Sequence, residues 1–212
     1  MTAVELLSAA LCAAVVLAAL YGFHRPQLFS LLLQELKTGT LEDARGALDI
    51  MVRELRNAGL FPVSTGATCI KDGSGNPLRI VSATPSSIQI QTDTGTPNDG
   101  PPDGECTATG ERVTYDISKG TSSCPGPLII RRNTVCLVAN VVVSSKEPLF
   151  TYFDINDMPL AGNPPLDAVK RVRIRFSVEV PDPTPQGKIS GRTIRSTLSS
   201  SVEFRNPAGT SP

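Results

Sequence analysis

Apolar positions along this chain follow three patterns with different periods. From Leu6 to Phe23 no side chain is charged, and most are Leu, Ala or Val. A run of that length approaches the roughly 20 residues that cross a bilayer core as a helix, and it predicts a membrane or filament-core helix over 1–25. From Gln27 the spacing changes. Leu28, Leu32, Leu36, Ala44, Leu48, Met51, Leu55 and Ala58 recur at mostly helical intervals, while Glu42, Asp43, Arg45, Asp49, Arg53 and Arg56 take the other sides. This predicts an amphipathic half of the same helix over 26–58, stopped by Asn57-Ala58-Gly59 and then Pro62. At 1.5 Å per residue the two halves make a rod of about 80–90 Å, too long to have a core of its own. Its first half needs lipid or neighbouring helices, and its second half needs a sheet. Gly22 and Pro26 lie where the halves meet and predict a kink or a short unwound stretch.

Beyond residue 59 the period falls to two. Short strand candidates are Leu78–Ala83, Ser87–Thr92, Arg112–Ile117, Leu128–Arg132, Cys136–Val143 and Leu149–Phe153. Thr84-Pro85-Ser86 is a turn candidate, and the Gly/Pro/Asp/Thr-dense stretch from Asp93 to Gly110 predicts an exposed loop. The clearest alternation is Val172, Ile174, Phe176, Val178 and Val180 against Arg171, Arg173, Arg175, Ser177 and Glu179. A more polar strand through Ile194, Leu198, Val202 and Phe204 follows after a Pro-rich loop, so the two form a hairpin with its apolar face on the helix. The expected architecture is therefore α+β, with a β-rich globular domain over 59–212.

Composition sharpens this in two ways. With 20 basic and 20 acidic residues the net charge is zero, which argues against bulk electrostatic binding of nucleic acid. Of five cysteines, Cys12 lies in the apolar run; Cys69, Cys106, Cys124 and Cys136 fall in the later domain and predict two disulfides in an oxidising compartment. No CxxC pair is present, which argues against zinc. Four cysteines allow three pairings. If Arg112–Ile117 and Leu128–Arg132 form a hairpin, Cys106 and Cys136 lie opposite each other, so the expected bonds are Cys106–Cys136 and Cys69–Cys124.

One acid, Glu5, sits inside the leading edge of the apolar run. A carboxylate in hydrocarbon costs about 2.5–3.5 kcal/mol on insertion scales and calls for a partner. The amine of Met1 is one helical turn away, and the amine of a neighbouring copy can also reach it. No Lys or Arg precedes the run, unlike an ordinary signal anchor.

An apolar N-terminal helix with Glu at the fifth position resembles the mature N-terminus of type IV pilins and type II secretion pseudopilins. Glu54-Leu55-Arg56-Asn57-Ala58-Gly59 and the ending Ser201-Val202-Glu203-Phe204-Arg205-Asn206 resemble the W-type minor pilins and J-type pseudopilins. The resemblance implies the type IV pilin fold, removal of a basic leader by a prepilin peptidase, and N-methylation of Met1. It implies an inner-membrane precursor that the pilus assembly machinery draws into an extracellular filament of like subunits and other pilins. In such filaments the helix often melts locally, which gives Gly22–Pro26 a role in extensibility. A minor pilin or pseudopilin that primes or caps a filament, and a surface module for adhesion or DNA uptake, are the alternatives.

Other chemistry adds little. Asp154, Asn156 and Asp157 are oxygen-bearing and some pseudopilins bind calcium, but Met158 occupies the place of a third alternate ligand, and a solvated turn explains the segment as well. Arg171, Arg173, Arg175, Arg192 and Arg195 form a candidate basic stripe for DNA phosphates, diluted by Glu179 and Glu203. The single histidine, His24, lies at the membrane boundary, and GxSxG, HExxH and phosphate-loop motifs are absent. The expectation is a non-enzymatic protein without a cofactor.

Overall fold

A computed structural model describes residues 2–61, 68–94, 101–107, 110–144, 146–182, 187 and 190–205. The architecture is α+β: among the described residues a long N-terminal helix, α1 (Ala3–Asn57), is followed by ten strands in two antiparallel sheets. The chain divides into two compact units, Met1–Thr40 with Val180–Ile194 and Leu41–Glu179 with Arg195–Pro212.

In the first unit α1 is helical through Gly22–Pro26, so the expected unwound stretch does not form in the single chain. A proline lacks the N–H that would bond the carbonyl four residues back, here that of Gly22. One missing bond is tolerated when helical turns continue on both sides. The same unit closes the loop between the two long strands with Asp182 N–H on the Arg192 carbonyl (2.9 Å) and Arg192 N–H on Gly187 (3.0 Å).

In the second unit the helix becomes a buried element. Ala44, Ala47, Leu48, Met51, Leu55 and Ala58 join the main core, with Leu41 and Val52 partly covered beside them. The helix ends where Gly59, at φ 79°, turns the chain left-handed. A Cβ at that position would stand 2.6 Å from Cβ of Arg79, so glycine serves both the turn and the close packing.

The first sheet runs in the order β1 (Ile80–Ala83), β2 (Ser87–Gln91), β3 (Arg112–Ser118), β4 (Ile129–Arg132) and β5 (Val135–Val138). The second is β10 (Thr193–Glu203), β9 (Arg171–Pro181), β7 (Phe150–Phe153) and β8 (Pro159–Leu160), with β6 (Val141–Val142) also on β9. Alternation decides the faces. Val172, Ile174, Phe176 and Val178 of β9 are buried, as are Ile88 and Ile90 of β2. The stretch Cys136–Val143, expected as one strand, is two. Asn140 at φ 54° breaks it, so that β5 pairs with β4 while β6 crosses to β9.

The disulfides correct the expected pairing. Cys69 joins Cys106, and Cys124 joins Cys136; Cys106–Cys136 and Cys69–Cys124 do not form. The reason is the tight β4–β5 turn at Asn133 (φ 53°), which sends Cys136 back beside Arg131. It thereby returns toward Cys124, upstream of β4, instead of continuing toward the start of β3. At that start the Gln91 side chain accepts from Ile70 N–H (3.1 Å) and donates to its carbonyl (2.6 Å), holding Cys69 beside Cys106.

Candidate functional site

The chemistry-bearing surface foreseen in the sequence is the first part of α1. Leu and Val side chains from Val4 to Leu32, and Leu36 beyond the half-buried Leu33, are exposed, and the most apolar 18-residue window has mean hydropathy 2.4 with none of it buried. Leu7 is 72% exposed and Leu11 67%, whereas Leu55, in the same helix, is fully covered. The helix is long and apolar enough to cross a membrane. Cys12 is exposed on it as a free thiol.

At its start Glu5 does something that the sequence reading did not anticipate. Its Oε2 accepts from Thr2 N–H (2.9 Å), and Thr2 Oγ1 accepts from Glu5 N–H (3.4 Å). This is a reciprocal capping box, satisfying two donors that the first turn leaves orphaned. The Thr2-x-x-Glu5 spacing carried that signal. One accepted bond leaves the carboxylate with further lone pairs, since it offers about four acceptor sites. Met1 lies outside the described residues.

The other half of α1 is anchored by a polar cluster that the apolar pattern did not reveal. Glu54 accepts from the Tyr115 hydroxyl of β3 and, through both carboxylate oxygens, from Arg132 Nε of β4 at 3.1 and 3.0 Å. Burial, then the hydrogen bond to Glu54 and its charge, push the Tyr115 hydroxyl far above the ordinary tyrosine range. Burial opposes the charge on Arg132, but the bond to Glu54 and its charge outweigh it and raise its value. Tyr152, raised by burial, donates to the Thr84 carbonyl at 2.7 Å and locks the β1–β2 turn onto β7.

Three arginines of the candidate basic stripe, Arg171, Arg173 and Arg175, have partners within the chain. Arg171 pairs with Asp157 (2.8 Å) and Arg175 with Glu147 (2.9 Å). The guanidiniums of Arg171 and Arg173 stack over the Phe153 ring at 4.3 and 4.8 Å. The calcium candidates Asp154, Asn156 and Asp157 form the β7–β8 turn. Asp154 Oδ1 accepts from Asn156 N–H and Met158 N–H, both at 2.8 Å, and Asp157 takes φ 61°. These oxygens act on their own backbone and on Arg171, which is the chemistry of an Asx turn. The loop from Asp93 to Gly110 is not uniformly exposed: Asp93, Gly104 and Cys106 are buried.

No protein-family model, curated protein or solved structure matches this chain.

Proposed function

We propose that this chain is a structural subunit of a type IV pilus-like filament, with the type IV pilin fold and no enzymatic activity. The observation that carries the reading is the contrast within α1: an uncovered apolar first part continuous with a second part buried in a disulfide-bonded β domain. Uncovered Leu and Val side chains at this density demand lipid or other helices. In this reading the chain resides in the inner membrane, and the assembly machinery then draws it into an extracellular filament. There its helix packs against those of like subunits and other pilins.

Glu5 sets the register. Its carboxylate is held in the first turn by Thr2 and keeps acceptor capacity for the N-terminal amine of a neighbouring copy. An ion pair in a low-dielectric core discriminates between staggers more than it adds affinity. Local melting at Gly22–Pro26 belongs to the assembled state in this reading, where neighbouring helices can compensate lost backbone bonds.

Substitutions at Glu5 separate charge pairing from simple helix capping. Glu5→Gln keeps the capping-box bond but removes the charge. The expected result is a stable, membrane-inserted chain that no longer enters filaments, with Glu5→Leu behaving alike. Normal filaments from Glu5→Gln would reduce Glu5 to a cap, and normal filaments from Glu5→Leu as well would end the register mechanism.

A further inference from the structure

A second cluster of carboxylates lies in the β domain, at the open end of the β2–β3 pair. The ladder continues past its last strand pair, Gln91 with Arg112, because Thr92 N–H donates to the Glu111 carbonyl at 2.8 Å. Asp93 follows, its N–H bound to the Leu60 carbonyl at 2.8 Å, just beyond the end of α1. The loop returns through Asp103 and Gly104, and Gly104 donates its N–H to Asp93 Oδ2 at 3.0 Å with φ 86°. Two residues on, the Cys69–Cys106 bond fixes the loop. One carboxylate oxygen from each of Asp93, Asp103 and Glu111 thereby comes within 4.8 Å of the others.

Burial distinguishes this cluster from an ordinary acidic surface. Asp93 is fully buried and Glu111 is 2% exposed. Asp93 Oδ1 is a buried acceptor without a hydrogen-bond partner among the described residues. Carboxylate oxygens gathered at this separation, one of them buried and unpartnered, offer a cation hard ligands.

We propose that Asp93, Asp103 and Glu111 form a calcium site. The donors are all hard oxygens, and the nearby sulfurs of Cys69 and Cys106 are bonded to each other, which disfavours softer metals. Ligand distances of about 2.3–2.6 Å put opposite calcium ligands up to about 5 Å apart, while the tighter magnesium shell spans only about 4.2 Å. Separations within 4.8 Å accommodate the larger ion, and titration with each salt distinguishes the two. Asp103 is exposed, so it stands at the mouth, where water completes the shell. The bound ion ties the long β2–β3 loop to the end of α1.

The test uses the full chain in detergent micelles, stripped with chelator and then titrated with calcium chloride or magnesium chloride. Calorimetry should give one calcium site, with Kd on the order of 10⁻⁴–10⁻³ M as in extracellular modules. At about 100-fold excess over Kd the melting midpoint should rise by about 5 °C or more, and less with magnesium. Asp103→Asn, at an exposed position, should weaken calcium binding at least about tenfold. Asp93→Asn should abolish the response. If the wild-type protein gives neither heat nor a shift with calcium, the proposal fails. It fails equally if both variants respond as wild type does, or if only Asp154→Asn loses the response.

Discussion

Leu11 and Leu55 are the same residue type in one unbroken helix, yet one is two-thirds exposed and the other fully buried. The helix spacing treats them alike. What differs is what the rest of the chain puts around them. Leu55 belongs to a core that includes β-sheet side chains, beside a Glu54 held by Tyr115 and Arg132; among the described residues nothing buries Leu11. A stretch of secondary structure can thus be specified locally while its solvent is left to assembly.

Four measurements test that contrast. The largest effect is expected from removing the longer disulfide. Cys69→Ser with Cys106→Ser opens a loop of 37 residues, worth about 4 kcal/mol on loop-closure entropy. Denaturant unfolding in micelles should show that loss in the β domain, while the helical signal of the first part of α1 persists. A simultaneous loss of both would show that the two parts of α1 are one cooperative unit.

Next comes the direct comparison of apolar truncations. Met51→Ala should destabilise the β domain by about 3 kcal/mol through lost burial and a cavity. Leu11→Ala should change the same transition by less than about 0.5 kcal/mol and should instead weaken filament formation. Equal effects of the two on unfolding would erase the distinction between the halves.

The polar anchor is the third measurement. Glu54→Ala leaves the Tyr115 hydroxyl and Arg132 without their shared acceptor and should cost about 2 kcal/mol in chemical denaturation. A loss below about 0.5 kcal/mol would mean that the cluster is no more than a surface pair.

The smallest effect is pH-dependent. Tyr115 and Tyr152 are both raised in the folded chain, chiefly by burial. A raised folded value stabilises the protein fully below the unfolded tyrosine value of about 10, and that contribution is lost as the pH climbs above it. Stability should therefore decline progressively above about pH 10. The ultraviolet signal of tyrosinate from these two residues should appear only together with unfolding.

Much of the architecture was legible because each part obeys a local period. The uncharged run, the helical spacing through Ala58, the glycine stop and the alternation in β9 each point to one conformation. The disulfide pairing was not legible. It depends on Asn133 and Asn140 adopting left-handed conformations, which turn β5 back on β4 and split β6 from it. Asp93 and Glu111 were hidden for a related reason, since a loop rich in Gly, Pro and Asp reads as solvent-exposed until a strand register and a disulfide fold it inward. The Thr2-x-x-Glu5 spacing is itself a capping-box signal, overlaid on the start of the hydrophobic run.

By itself the sequence determined the long helix, the β-rich remainder and the lone acid near the start. These follow from hydrophobic periods and backbone propensities that act over a few residues. Only the tertiary structure decided where along α1 burial begins, which cysteines meet and which carboxylates converge. Those outcomes depend on strand register and on left-handed turns, and they bring together residues far apart in the chain.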